Sequence, residues 1–366
     1  MKLAIIGLSN SGKTTIFNAL TGQLLETTTY PTQGGEPNFG IVKVPNERVD
    51  RLSEIYKPKK STYATIEYID YLGITKGDAL QNRKVFNLIK DVDAIVHCVR
   101  AFTDESVPHP LNEVNPFRDI DALEFELIFE DLEFIEKRLE RMAEGAKRGK
   151  NPNDAEKELL LKCKDSLTKE IPLRKISFND QEQKVIKPLQ FISIKPEVIL
   201  LNIGEEDLNT DREQGLLTGA RKYFKEKYKD SQSLPCLTLC GKIEMDIAQL
   251  SIDEAKAFLD DLRIEEPALN RLINLSYDLL SFVSFLTVGE DEVRAWTITK
   301  GTDAVKSASK IHSDIERGFI RAEVIGFDDF ILAKTMVVAK DKGLLRLEGK
   351  TYQVRDGDII NFRFNV

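Results

Sequence analysis

The residues with the most explicit chemistry lie near the start of the chain, where Gly7-Leu8-Ser9-Asn10-Ser11-Gly12-Lys13-Thr14 completes G-x-x-x-x-G-K-[ST], a phosphate-binding loop. Gly7 and Gly12 allow the backbone from Ser9 to Thr15 to wrap closely around phosphate oxygens. Lys13 is expected to reach the β and γ phosphates, and Thr14 to offer its hydroxyl to Mg²⁺. The elements that must position this loop are also readable. The apolar run Leu3 to Ile6 precedes it as a strand, and Ile16, Phe17, Ala19 and Leu20 follow at helical spacing. The start of that helix adds positive axial potential.

A second element supports the first. Ala64 to Asp70 alternates like a strand, and Asp70-Tyr71-Leu72-Gly73 ends it with D-x-x-G. Asp70 is the expected Mg²⁺ carboxylate, and the Gly73 amide a sensor of the γ phosphate. Ile74 stands where Ras-type enzymes carry a Gln that orients the attacking water. A hydrocarbon cannot do that, so hydrolysis is expected to be slow or helped by another group.

The base is addressed by a third segment. Guanine specificity in this class comes from N-K-x-D, whose Asp accepts from guanine N1–H and the 2-amino group. Here the strand Val198 to Leu201 ends in Asn202-Ile203-Gly204-Glu205, with the Lys and the Asp both replaced. ATP is therefore expected in preference to GTP. Cys240-Gly241-Lys242 follows the strand from Leu234 and offers backbone amides to the base. The candidate nucleotide contacts are thus Ser9 to Thr15, Gly73, Asn202, Ile203, Glu205 and Cys240 to Lys242.

Further along, Phe125, Ile128, Leu132, Ile135, Leu139 and Met142 follow a heptad seam, broken by Gly149, Asn151 and Pro152. Leu160, Cys163, Leu167 and Ile171 resume the spacing before Pro172, which predicts an antiparallel helical hairpin. Lys137, Arg138, Arg141, Lys147, Arg148 and Lys150 outnumber Glu140 and Glu144 at its tip, which fits either a solvated helix end or an RNA or ribosome contact. Short strands are expected at 293–297, 319–324, 344–347, 352–354 and 359–364, with Trp296 in their core and Asp356-Gly357-Asp358 as a hairpin turn.

The fold class is α/β: a P-loop domain with a mainly parallel sheet, an inserted helical hairpin and a small β-rich domain. The expected boundaries are 1–121 and 195–279 for the nucleotide domain, 122–194 for the helical insertion and 280–366 for the last domain. With 52 Lys plus Arg against 60 Asp plus Glu, the net charge of −8 excludes whole-chain attraction to nucleic acid, and sequence-specific DNA binding is not expected. Four cysteines without metal-ligand spacing read as buried thiols in a reducing cytoplasm. No apolar run approaches the roughly 20 residues that span a membrane.

These features together resemble the Obg-like ATPases of the YchF type over almost the full length. The likeness includes Asn10 inside the loop, the run Asp93 to Arg100, and Asn202 to Glu205 as that family's N-x-x-E. At the C-terminus, Val293 to Ile298, Glu316 to Ile325 and Phe362 to Val366 are similar to its TGS domain, a β-grasp fold. The resemblance implies a Mg²⁺-dependent ATPase associated with ribosomes or ribosomal RNA, through the arm and the TGS domain. It also implies a catalytic role for His109, beside Lys13. Two departures stand out. Gly34 occupies the aligned position of a switch I Thr that helps hold Mg²⁺ in the family, with Thr32 nearby, and the family's long Gly-rich switch II is shortened to Ile74 to Gln81. An ATP-sensing module with little hydrolysis and a GTPase with Glu205 in place of Asp remain the alternatives.

Overall fold

The computed structural model describes residues 1–26, 36–149, 153–228 and 234–365, so Thr32, Gly34, Lys150, Asn151, Pro152 and Val366 lie outside the described residues. In chain order the strands are β1 (Lys2–Ile6), β2 (Asn38–Lys43), β3 (Lys60–Thr62), β4 (Thr65–Asp70), β5 (Ala94–Arg100) and β6 (Glu197–Asn202). They continue with β7 (Cys236–Leu239), β8 (Phe282–Thr287), β9 (Glu292–Thr299), β10 (Phe319–Gly326), β11 (Arg346–Glu348) and β12 (Asp358–Phe364). The chain forms two compact units, Met1–Val42 with Glu67–Leu272, and Lys43–Ile66 with Ile273–Val366.

The first unit holds a sheet of order β2-β4-β1-β5-β6-β7. β1 pairs in parallel with β4 and β5, β5 with β6, and β6 with β7. Leu3 to Ile6 are wholly buried, as expected for a central parallel strand covered on both faces. Parallel pairing puts the loops after β1, β4, β5, β6 and β7 at one edge of the sheet, the edge where open α/β folds bind ligands. The helices that matter here are α1 (Lys13–Thr21), α2 (Glu47–Tyr56), α3 (Ala79–Ile89) and α4 (Pro116–Lys147). After them come α5 (Asp154–Thr168), α6 (Asp180–Ile186), α7 (Asp211–Tyr228) and α8 (Gly241–Ala248).

The helical arm forms as α4 and α5. Asn115 caps α4 by accepting from the Arg118 amide, with Pro116 at the first helical position. Ile128, Leu132, Ile135, Leu139 and Met142 pack with Leu159, Leu160, Cys163 and Leu167 in one apolar cluster. Two expected seam positions are corrected. Phe125 is 51% exposed and stacks on exposed Phe129, because the first half of α4 turns Leu123 and Leu127 onto the sheet instead. Ile171 is not helical: α5 ends at Thr168, and Glu170 takes a left-handed φ of 58° before Pro172. Buried ionic contacts anchor the arm to the sheet, since Arg174 meets both Glu124 of α4 and Glu197 of β6, and Glu197 also meets His97 of β5 at 3.0 Å.

The second unit is a mixed sheet of order β11-β10-β12-β8-β9-β3. β10 pairs antiparallel with β11 and β12, β8 antiparallel with β9, and β12 with β8 in parallel. Residues 43–66, expected within 1–121, belong here. Amphipathic α2 buries Val49 and Leu52 against Leu286, Val293 and Ile325, and β3 extends the sheet beside β9. Phe282–Thr287 is a strand that alternation did not reveal, whereas 352–354 is not one, having only the isolated bridge of Gln353 to Asp303. Asp356-Gly357-Asp358 is accordingly a turn into β12 rather than a hairpin, with Gly357 at φ 81° and the Asp356 carboxylate accepting from the Ser284 amide. Trp296 stacks on Phe285 and donates to the Thr287 hydroxyl, consistent with its expected core position. Among the described residues no helix is long and apolar enough to cross a membrane.

Candidate nucleotide site

At the strand-end edge of the first unit lies a cavity of about 1080 Å³. Its walls include Ser9, Asn10, Gly12, Lys13, Thr14 and Thr15 at one end and Asn202 to Glu206, Cys240 and Lys242 at the other, with Asp70 and Gly73 beside the loop. The loop, D-x-x-G and the altered base segment, which are far apart in sequence, therefore meet in one cavity.

The loop conformation follows from two glycines. A side chain at Gly7 would come within 2.2 Å of the Cys98 carbonyl oxygen, and Gly12 combines φ 92° with a Cβ position 2.1 Å from Asn202 Nδ2. Lys13 is buried, and its ammonium donates to the Leu8 carbonyl at 2.9 Å, closing the loop on itself. Burial lowers its pKa, opposed by the nearby Cys98 and Asp70. An anion in the cavity would compensate the buried charge better than one carbonyl does. The amides ahead of α1 have no intrahelical partners, so the geometry suits phosphate oxygens.

Thr14 and Asp70 form the candidate cation site. The Thr14 hydroxyl donates to Asp70 Oδ2 at 2.9 Å, while Asp70 Oδ1 is buried with no hydrogen-bond partner among the described residues. Burial raises the Asp70 pKa, with Lys13 and Thr14 pulling the other way. An orphaned, desolvated carboxylate oxygen next to a hydroxyl fits a hard divalent cation that keeps most of its waters. Gly73 is pressed onto Ser9, where a Cβ would lie 2.6 Å from Oγ. The next amide, Ile74, donates to the Gly7 carbonyl at 2.9 Å. The Ile74 side chain is wholly buried among Ile6, Val85 and Leu123, so it faces the core and not the phosphates.

Other sequence candidates take different places. Ser11 turns its side chain behind the loop, toward His97 and Cys98, and its hydroxyl has no partner among the described residues. Its carbonyl accepts from Asn202 Nδ2 at 3.0 Å, and Asn202 Oδ1 accepts from the Gly241 amide at 3.0 Å. Asn202 thus braces the phosphate loop against the start of α8, with both ends of its amide committed to backbone. Glu205 pairs with Lys242 at 2.6 Å, both partly exposed. His109 does not line the cavity. Its side chain is 4% exposed, Nδ1 accepts from the Leu111 amide at 3.0 Å, and Nε2 therefore carries the proton toward Asp119 at 2.9 Å. Burial lowers its pKa, which favours the neutral ring. The expected position of His109 beside the γ phosphate is thus corrected: Asp119, in the first turn of α4, draws it away.

Phe102, Met245, Asn38 and Gln81 line the cavity and were not singled out from the sequence. Phe102 had a signal, since it directly follows the β5 strand end. Arg100 stacks on its ring at 4.5 Å and donates to the carbonyls of Phe102, Asp104 and Val107, which shapes that loop.

Comparison with known proteins agrees with this architecture. Residues 282–365 match the YchF-GTPase_C family model, described as a protein of unknown function, and residues 2–128 match a model described as a 50S ribosome-binding GTPase. The chain is 40% identical over 366 residues to the "Ribosome-binding ATPase YchF" of Bacillus subtilis, covering 99% of this chain and 98% of that one. It is 39% identical to the protein of the same name from Escherichia coli O157:H7, covering 100% and 99%. The solved YchF GTPase of Schizosaccharomyces pombe superposes with a TM-score of 0.83 at 30% identity, covering 99% of this chain and 97% of that one. With relatives this similar along its whole length, the chain belongs to the YchF family of P-loop nucleotide-binding proteins.

Proposed function

We propose that the chain is a Mg²⁺-dependent ATPase of slow intrinsic turnover, acting in the cytoplasm as a ribosome-associated nucleotide switch. The observation that carries this reading is the single cavity joining the Lys13 loop, the Thr14–Asp70 pair and a base end without a guanine reader. Lys13 exchanges the Leu8 carbonyl for the β and γ phosphates, and the loop amides complete the cradle. Thr14 and Asp70 hold Mg²⁺, which when bound neutralises charge on the phosphate oxygens. At the base end, Phe102 and Met245 provide apolar walls beside the polar backbone of 203–204 and 240–242. Lys242 occupies Glu205, so that carboxylate is not free to accept from guanine N1–H and the 2-amino group together. This supports ATP.

Ribosome association rests on the printed names of the relatives and on the arm and the β-grasp TGS domain. Arg141 and Lys147 carry no ion pair among the described residues, whereas Arg138 is paired with Glu156 and Arg148 with Glu144, so the basic tip is only partly neutralised. Burial of Ile74 and the His109–Asp119 contact favour one second reading, an ATP-sensing module with little hydrolysis. A competition titration with ATP, GTP and both diphosphates, followed by phosphate release with and without ribosomes, separates these. ATP should displace a fluorescent nucleotide at lower concentration than GTP. A GTP preference would sink the ATP assignment, and tight ATP binding without phosphate release would select the sensing module.

A further inference from the structure

Hydrolysis requires a polar group that holds water in line with the γ phosphate, and two obvious candidates are turned away. Ile74 is in the core, and His109 is bound to Asp119 behind the loop. The structure points to a third side chain. We propose that Gln81, in the first turn of α3, aligns the attacking water; this rests on the hydrolase reading above.

Gln81 lines the cavity at the end formed by Asp70 to Gly73 and Thr14, opposite the base end formed by Asn202 to Glu206 and Cys240. Its placement is built by its neighbours. Asp78 caps α3 by accepting from the Gln81 amide at 3.1 Å. Asn82, wholly buried, accepts from the Thr75 amide and donates to the Thr75 carbonyl and to Glu126 of α4. Glu126 also accepts from the Gly77 amide at 2.9 Å. The turn after D-x-x-G is therefore fastened on both sides, and α3 enters with Asn82 facing inward. One residue earlier on a helix is a rotation of about 100°, and that rotation turns Gln81 to the cavity. The Gln81 side-chain amide has no hydrogen-bond partner among the described residues, so both its donor and its acceptor are available.

The neutral amide suits the task better than the other polar groups at this end. Glu26 and Glu36 also line the cavity, but a carboxylate beside a triphosphate is repelled by it. An amide accepts from the water through its oxygen and donates to a γ-phosphate oxygen through its nitrogen. The water oxygen then forms the new bond to the γ phosphorus as the bond from that phosphorus to the β,γ-bridging oxygen breaks. The electron pair stays on the bridging oxygen of ADP, and the water proton passes to an oxygen of the departing phosphate. Gln81 exchanges no proton; it fixes direction.

The test uses the full chain with Gln81→Ala, Lys13→Ala and wild type, measuring ATP affinity and single-turnover phosphate release separately. Gln81→Ala should bind ATP within about twofold of wild type while releasing phosphate roughly 10- to 100-fold more slowly, a loss in the chemical step alone. Gln81→Glu should also release slowly, since it restores length but adds charge. Wild-type release rates in Gln81→Ala overturn the assignment while leaving the ATPase reading intact. If wild type releases phosphate no faster than Lys13→Ala, the ATPase reading itself fails and the role of Gln81 falls with it.

Discussion

At the phosphate end of the cavity the chain relies on backbone and buried groups: two glycines without room for a side chain, a buried ammonium, and a desolvated carboxylate. At the base end it relies on side chains that reach solvent, with Lys242 71% and Glu205 47% exposed. The difference teaches what each end can tolerate. Phosphates look alike in every nucleotide, so their cradle is fixed by conformation, whereas the base is distinguished by side chains that can be exchanged without disturbing the fold.

Lys13→Ala should have the largest effect, removing the one buried cation of the cradle and weakening ATP binding by about 100-fold or more, near 3 kcal/mol for a charged hydrogen-bond donor. Isothermal titration calorimetry would read it, and a change below tenfold would mean that amides alone hold the phosphates. Asn202→Ala tests the link between the two ends. It leaves the Gly241 amide and the Ser11 carbonyl without their present partner and should destabilise the chain by about 1–3 kcal/mol in denaturant unfolding. It should also weaken ATP and GTP alike, because it loosens the loop without reading the base; a selective loss of one nucleotide would make Asn202 part of the reader. Lys242→Ala should be the mildest, leaving the unfolding midpoint nearly unchanged, as is usual for exposed ion pairs. It frees Glu205 and should move the ATP-to-GTP preference toward GTP by less than about tenfold, again by calorimetry. An unchanged ratio would break the comparison, since the base would then be chosen elsewhere.

The same division explains what was legible in the sequence. Gly7 to Thr14 and Asp70 to Gly73 were readable because they act through local backbone geometry, and geometry needing glycine leaves glycine in the sequence. Side-chain direction was not local. His109 was legible as a loop histidine but not as a partner of Asp119, ten residues on, and Ser11 gave no sign of facing inward. Helix spacing identified the arm yet placed Phe125 on its seam, because the first turns of α4 have a different neighbour from the later ones. Helix α2 shows the limit at the scale of domains. Its amphipathic pattern states that one face is buried, not that the burying surface is made by residues more than two hundred positions later. Gln81 was hidden for a related reason, since only the register of α3 against Asn82 and Glu126 turns it toward the cavity.

The brace made by Asn202 also bears on how the protein forms. It ties Ser11 to a residue 191 positions away, and Gly241 lies 39 positions further still. Contacts of such long sequence separation close late, after the loop entropy between them has been overcome. During synthesis, a nascent chain that has emerged only as far as the arm already contains the whole phosphate-binding motif but not the residue that holds it in shape. Nucleotide capture is thereby timed to the completion of β6 and the start of α8, so the loop gains its function only when the second half of its own domain has arrived.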